Sequence, residues 1–420
     1  MVIVGVFDAN MGNGSPKTVL NYPACDQVFH HSGIGFDFFR NKGDYTYFLR
    51  QLLCLPPFLK PDAGGKSAPA PQPFQKIFRK GNSAFALWRR VHNLTAEAQG
   101  VTTYGMEYRR LGKTGMDVSI LSFGASPMGN VFDIADEGEG VRAVHYAIDH
   151  GINFFDVAPF YGATLAENRL GKALAGKRNG VYLATKCGRY GTDDFDFSAG
   201  RVLGSIDESL KRLRTDYVDL YQLHDIEFVD RAQLMQEAIP ALLKVKESGK
   251  ARYVGITGLP VRYLAGIARE VELDTVLSWA HYNLLENEID DELVPLSRQR
   301  GFGLMNAGPL LQRILSDAPL PAWHRSPPAV KAMQPVLLEL CRAYGVSLSD
   351  VAIRYALDHP DIHTTIVGIS SMDHVTRNLG AMDVRIPPGL MDEIEARVAP
   401  VRNQMWYEGK PENNLPRQQP

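Results

Sequence analysis

From about residue 106 the chain alternates short runs of β-branched and aromatic residues with longer stretches whose apolar positions recur every three or four residues. The short runs read as buried strands and the longer stretches as helices with one apolar face. Tyr108-Arg-Arg-Leu, Gly112-Lys-Thr-Gly115 and Asp117-Val-Ser-Ile-Leu predict a hairpin leading into a first buried strand that ends near Phe123-Gly124. Further strands are expected at 153–156, 181–186, 217–223, 252–257, 275–280, 303–306 and 364–367. Between them the spacing predicts helices at 140–150, 167–175, 201–213, 234–247, 261–268, 293–300, 330–344 and 348–358, with a last one at 373–382. Ser198 is placed to open the helix whose Ile206, Leu210 and Leu213 share a face.

Eight strands, each followed by helix, in about 315 residues favour α/β architecture of one kind, a closed (β/α)8 TIM barrel entered by an N-terminal hairpin. An open doubly wound sheet would carry a phosphate-binding glycine loop after its first strand. Phe123-Gly-Ala-Ser-Pro-Met-Gly129 lacks the Gly-x-Gly-x-x-Gly spacing, and no Gly-x-x-x-x-Gly-Lys-Ser/Thr occurs. The long insertion at 307–328, rich in Pro and holding Trp323 and His324, falls at a strand's C-terminal end, where loops form a barrel's mouth and serve as lids.

Residues 1–105 are different in kind. They hold 11 Lys+Arg against 6 Asp+Glu, leaving 34 against 41 for the remainder, and include the Pro-rich stretch Lys66-Ser-Ala-Pro-Ala-Pro-Gln-Pro73 without sustained periodicity. They read as a poorly ordered extension. Three origins stay open: sequence upstream of a natural start at Met106, a targeting segment, or an accessory arm. The expected division is therefore an extension at 1–105, a barrel at 106–406 and a polar C-terminal tail at 407–420.

At 45% apolar and 22% charged residues the chain is globular, and a net charge of −2 leaves no footprint for nucleic acid. No apolar run approaches the roughly 18 residues that a membrane span requires. Cys25, Cys54, Cys187 and Cys341 stand too far apart for a Cys-x-x-Cys pair or a disulfide framework, which suits a reducing cytoplasm. The 11 histidines are scattered, with no metal-ligand spacing, and no Gly-x-Ser-x-Gly elbow is present.

The candidate chemistry lies at three successive strand ends. The run 152–161 ends in Asp156 and reaches Tyr161; the next strand stops at Lys186, and the one after it at His224. Tyrosine, with an ordinary pKa near 10, needs a neighbouring cation before it exchanges a proton readily near neutrality. Lys186 is that cation, Asp156 holds it charged, and His224 bonds or relays the reacting proton. Singly, each has a plain structural explanation: a loop cap, a rim aromatic, a snorkelling lysine, a packed loop histidine. Jointly they make one proton device. Cys187 reads as an apolar filler more readily than as a reactive thiol. Asp225 and Glu227 read equally as acceptors for sugar hydroxyls and as a solvated loop.

The stretch from Tyr108 to Trp406 resembles the aldo-keto reductase family, a family of (β/α)8 barrels that bind NAD(P)(H) without a Rossmann motif. Asp156, Tyr161, Lys186 and His224 match its catalytic tetrad in order and spacing, and Ser205-Ile-Asp-Glu-Ser-Leu-Lys-Arg-Leu-Arg-Thr-Asp-Tyr-Val-Asp-Leu is similar to its helix-to-strand signature. Phe123-Gly-Ala-Ser-Pro-Met-Gly-Asn-Val-Phe132, Ala184-Thr-Lys-Cys-Gly-Arg-Tyr190, Phe195-Asp-Phe-Ser-Ala199, His224-Asp-Ile-Glu-Phe228 and Gly255-Ile-Thr-Gly-Leu-Pro260 are most similar to members acting on aldoses, L-galactose first among them. The resemblance implies oxidation of such a sugar at C1 to the lactone. It implies sugar contacts at Phe132, Asp225, Glu227, His281 and Trp323, and cofactor contacts at Thr257, Gly308, Leu310, Gly368, Ser370, Ser371, His374, Arg377 and Asn378.

Departures from the family pattern bear on the cofactor. Thr257-Gly258 stands where many members have Ser-Asn, and Ala307 where an aromatic stacks on nicotinamide. Gly368 and His374 occupy the places where NADP-preferring members set a Lys and an Arg, which favours NAD, with NADP kept as the alternative by Arg377. The competing functions are an NADP-dependent carbonyl or aldehyde reductase on the same tetrad and a redox-sensing binding subunit.

Overall fold

A computed structural model describes residues 105–414; the expectations for 1–104 and 415–420 fall outside the described residues. Strands β1 (Tyr108–Arg110) and β2 (Asp117–Ser119) form an antiparallel hairpin. The parallel strands β3 (Leu121–Gly124), β4 (Phe154–Asp156), β5 (Tyr182–Cys187), β6 (Val218–Leu223), β7 (Ala251–Gly258), β8 (Thr275–Trp279), β9 (Gly303–Ala307) and β10 (Thr364–Gly368) follow. They close a barrel in which β10 pairs with both β3 and β9.

Alternation along the strands sorts the side chains. Phe154, Ala184, Leu220, Leu277, Met305 and Ile366 fill the barrel interior together with Leu111, Met116 and Val118 of the hairpin, which plugs the lower end. Phe123, Phe155, Leu183 and Tyr221 point outward into the layer under the helices. A period of two then decides the polar positions above that plug. Asp156 follows Phe154, Lys186 follows Ala184, and Gln222 and His224 follow Leu220, so all four share the inward direction. The hairpin sits so close that a Cβ on Gly112 (φ 50°) would lie 2.3 Å from the Gly303 backbone nitrogen.

Helix starts follow their caps. The first helix spans Glu137–Asp149 because the Asp136 carboxylate accepts from the Glu139 N–H, a turn earlier than apolar spacing predicts. Ser198 caps Ala199–Leu213 as expected. The expected helix at 234–247 begins instead at Arg231, capped by Asp230, and widens into a π turn over Leu234–Ala238 just before Pro240. The helix expected at 293–300 spans Glu288–Arg300, and that expected at 330–344 is split into Pro328–Lys331 and Met333–Ala343. A further helix, Leu390–Val398, follows the last one expected from the spacing.

Contacts continue past the boundary expected at 406. The Asn413 amide donates to the backbone oxygens of Glu227 and Val229, the Lys410 N–H donates to Glu227 O at 2.9 Å, and Asn413 is buried, so residues 407–414 lie on the barrel over the loop after β6. Among the described residues no helix is long and apolar enough to cross a membrane, and no group of three or more His, Cys, Asp or Glu is placed to hold a metal ion.

Candidate active site

Three strand ends deliver the central group. Asp156 closes β4, Lys186 is the penultimate residue of β5, and His224 follows β6, fixed by its N–H on the Cys187 carbonyl at 2.8 Å. The Lys186 ammonium forms an ion pair with Asp156, donates to Val157 O at 3.1 Å and lies 3.1 Å from the Tyr161 hydroxyl. The Gln222 amide donates to the second Asp156 oxygen at 3.3 Å. The Tyr161 and His224 rings meet edge to face with centroids 5.6 Å apart.

Electrostatics assign the resting protonation. Burial is the largest influence on Lys186 and opposes its charge, but Asp156 and Tyr161 outweigh it and hold the ammonium above its ordinary value. Burial raises the Asp156 carboxyl, and Lys186 and Gln222 pull it back. Lys186 favours the Tyr161 phenolate, as expected from the sequence, but burial outweighs that pull and pushes the hydroxyl up to about 12. Burial likewise drives His224 down to about 3, against the attraction of Asp225. Near neutral pH the site therefore holds an ammonium, a phenol and a neutral imidazole.

The loop after β6 is not solvated. Asp225 and Glu227 are both buried, which removes the reading of these acids as a wetted loop. Asp225 accepts from Arg189 at 2.5 Å and from the Thr257 hydroxyl at 3.3 Å, and its other near neighbour is His224 Nε2 at 3.6 Å. Glu227 accepts from the Leu259 N–H at 3.1 Å, its Oε2 wedged where a side chain on Gly258 would stand. Burial and then Asp225 raise its carboxyl well above the usual range. Thr257 is thus engaged with Asp225.

Other expected positions divide between the mouth and the walls. Phe132 and Trp323 face each other with ring centroids 6.0 Å apart, and Arg313 pairs with Asp133, so the insertion after β9 bridges to the loop after β3. His281 is turned into the wall, with Nδ1 3.1 Å from Trp279 O and Nε2 3.7 Å from Glu288. Leu310 packs between the two outer apolar clusters, and Gly308 takes a left-handed φ of 69°. Gly368 ends β10. Ser371 caps the helix Met372–Gly380 by accepting from the His374 N–H, while Ser370 Oγ lies 3.3 Å from His374 Nδ1. Arg377 is ion-paired with Asp373. Asn378 is buried, and its Nδ2 has no partner among the described residues.

Two side chains in this group are not evident from the sequence. Gln222 carries no signal beyond lying two residues before His224, on the same inward face. Arg189 carries a fainter one, an arginine three residues after Lys186 in a stretch that otherwise supplies only small or aromatic residues. Cys187 is a filler, its thiol pushed up to about 12 by burial.

The sequence pattern of the Aldo/keto reductase family matches residues 121–399. The chain is 41% identical to L-galactose dehydrogenase of Arabidopsis thaliana over 318 residues, 73% of this chain and 99% of that protein. It is 30% identical to D-threo-aldose 1-dehydrogenase of a Pseudomonas species, covering 68% of this chain and 96% of the other. Among solved structures it is similar to the aldo-keto reductase AKR11C1 of Bacillus halodurans in its holo form. There the TM-score is 0.61 at 27% identity, over 74% of this chain and all of that one.

Proposed function

The chain belongs to the aldo/keto reductase family, and on that premise we propose that it oxidises an aldose at C1 with NAD, L-galactose being the sugar of first choice, and releases the lactone. The observation that carries this reading is the inward constellation of Asp156, Lys186, Tyr161 and His224 at the barrel mouth. Support for an aldose comes from the two sugar dehydrogenases to which the chain is similar.

A dinucleotide suits the loops after β9 and β10. Gly308 gives the first a left-handed bend, the N-terminus of Met372–Gly380 offers partial positive charge to a phosphate, and the orphaned Asn378 amide is a donor of the kind a bound adenine satisfies. Ser370, Ser371, Gly368 and Leu310 line the same loops. When bound, NAD supplies the acceptor for the hydride that leaves C1.

The chain's own residues handle the proton. The Tyr161 and His224 pair accepts the C1 hydroxyl proton, and the Tyr161 hydroxyl stabilises the oxygen as charge develops on it. Lys186, 3.1 Å away, strengthens that stabilisation, and Asp156 keeps Lys186 charged. Phe132 and Trp323 are proposed to cover the sugar, where their rings exclude water.

The choice of NAD rests on missing cations. Gly368 has no side chain, burial keeps the His374 imidazole below its ordinary value, and Arg377 is paired with Asp373 on an exposed helix face. A steady-state comparison of aldoses with NAD and NADP, with the product identified as lactone, tests the proposal. Activity on L-galactose with NAD is expected; preference for reducing simple aldehydes with NADPH would overturn it.

A further inference from the structure

A guanidinium stripped of water, with a donor to spare, stands at the edge of the reacting centre. Arg189 and Asp225 are both more than nine-tenths buried, and one Nη of the arginine donates to Asp225 Oδ2 at 2.5 Å. The Arg189 Nε is buried as well and has no partner among the described residues. Buried donors are nearly always satisfied, so an orphan of this kind calls for an acceptor that arrives with a ligand.

The surroundings say what kind of ligand. The guanidinium lies 4.1 Å from the Phe160 ring, 4.9 Å from Phe228 and 5.4 Å from Phe195. All three rings are partly exposed, so a molecule entering here meets apolar faces around one polar pair. Such faces suit the C–H side of a sugar ring, and the few polar groups between them suit its hydroxyls. Arg189 and Asp225 cancel each other's charge, which leaves no net cation for a substrate carboxylate or phosphate. A hydroxyl brings what the pair can still use, a lone pair for the guanidinium and a hydrogen for the carboxylate. Asp225 Oδ1 takes the Thr257 hydroxyl at 3.3 Å, and Oδ2 keeps a lone pair after Arg189 is served.

Distance fixes which hydroxyl. Asp225 Oδ2 stands 3.6 Å from His224 Nε2, too far for a hydrogen bond between them and near enough for one ligand to touch both. His224 and Tyr161, their rings edge to face, flank the oxygen that reacts in the proposed oxidation. Oxygens on adjacent sugar carbons lie about one hydrogen-bond length apart. With O1 at Tyr161 and His224, the hydroxyl that reaches Asp225 and Arg189 is therefore O2. The Asp225 side chain is aimed by a left-handed backbone (φ 55°) rare outside glycine, and its N–H is held by the Thr257 hydroxyl at 3.1 Å.

We propose that Arg189 and Asp225 form the subsite that reads the hydroxyl on the carbon next to the reacting one, Arg189 donating to that hydroxyl and Asp225 accepting from it. This rests on the aldose oxidation proposed above and narrows its substrate class to aldoses that carry O2. A 2-deoxy aldose or a simple alcohol is turned away because its binding leaves a buried guanidinium and carboxylate unserved.

The test compares two sugars rather than two rates. The full-length chain is assayed with NAD on L-galactose and on 2-deoxy-L-galactose, and wild-type kcat/KM is expected to favour L-galactose by at least about a hundredfold, as in sites built around a substrate hydroxyl. In Arg189→Met that ratio should shrink by about tenfold or more. Any effect of O2 on the intrinsic reactivity of C1 is the same in both chains and cancels. Arg189→Met leaves Asp225 a buried charge without its partner. Should it not fold, Arg189→Met/Asp225→Asn removes that charge, keeps a residue type that tolerates the left-handed backbone, and carries the same expectation. An arginine that only props the loop would lower kcat/KM for both sugars in parallel and leave their ratio as in wild type, and that result would overturn the proposal. L-Galactose and its 2-deoxy analogue oxidised equally well by the wild-type chain would overturn it too, while leaving the aldose reading in place. A wild-type chain that oxidises neither sugar would overturn the aldose reading, and this inference with it.

Discussion

The Lys186 ammonium touches the Tyr161 hydroxyl at 3.1 Å while paired on its other side with Asp156. In the proposed reaction this contact divides the work: the lysine would strengthen the hydroxyl's hold on the reacting oxygen but, against burial, does not ionise it at rest. Tyr161→Phe removes the hydroxyl and little else. Its kcat should fall by about 10²–10⁴-fold, while dinucleotide affinity, read by fluorescence titration, stays within a few-fold of wild type. A variant retaining a third of the wild-type kcat would remove Tyr161 from the chemistry.

His281 makes an acid-stability prediction away from the reacting centre. Burial lowers its imidazole to about 4, whereas an unfolded chain protonates it near the usual 6.5. The folded state therefore binds fewer protons between these values, so the stability His281 confers is full above about pH 6.5 and is lost as pH falls toward 4. The slope is about 1.4 kcal/mol per pH unit for one such histidine. His281→Gln should flatten the decline of Tm between pH 6.5 and 4.5 relative to wild type. Comparing the two cancels the opposite contribution of Glu227, whose raised carboxyl is unchanged between them. Parallel Tm curves would show that His281 is already charged in the fold.

The C-terminal strap is expected to hold the loop that carries the acids. The Asn413 amide donates at 3.0 Å to Glu227 O and at 2.9 Å to Val229 O from a buried position. Asn413→Ala should cost about 1–3 kcal/mol in denaturant unfolding, because it strands two carbonyls beneath the strap. It should also raise KM for the sugar more than it lowers kcat, since Asp225 moves with this loop while Lys186 and Tyr161 do not. Wild-type stability in this variant would mean that water replaces the amide without loss.

Much of this was legible in sequence, for a physical reason. A parallel barrel strand is short and buried on both faces, so runs such as the one ending in Asp156 stand out, and the period of two then fixes which neighbours point inward. Helix starts were less legible at Glu137 and Arg231, because a capping aspartate, rather than the apolar stripe, sets the first turn. The grouped Asp156, Tyr161, Lys186 and His224 lay in the chain as three strand ends. Arg189 and the burial of Glu227 did not, since both depend on tertiary neighbours: three phenylalanine rings in one case and a strap nearly 190 residues downstream in the other. The reversal at Tyr161 has the same origin, as desolvation is a property of the closed barrel and leaves no mark on local sequence.

Cofactor choice turns on whether any cation is free for a 2′-phosphate. Arg377 is paired with Asp373 one turn before it on an exposed helix face, a contact worth less than about 1 kcal/mol and therefore easily surrendered to a better anion. Asp373→Asn should release that guanidinium and shift the NADP/NAD ratio of kcat/KM upward by a few-fold. The pair Gly368→Lys and His374→Arg should shift it further, by roughly tenfold for each 1.4 kcal/mol that the new charge-assisted bonds contribute. Gly368 sets a limit, because a Cβ there would meet Pro127 Cγ at 3.0 Å, so part of the gain goes into moving the proline ring. His374→Arg alone avoids that clash, although it also removes the imidazole beside Ser370. The deciding measurement is competition at matched ionic strength: tighter binding of NADP than of NAD by the wild-type chain would mean that Arg377 leaves Asp373 for the phosphate, and that NAD preference does not follow from this loop.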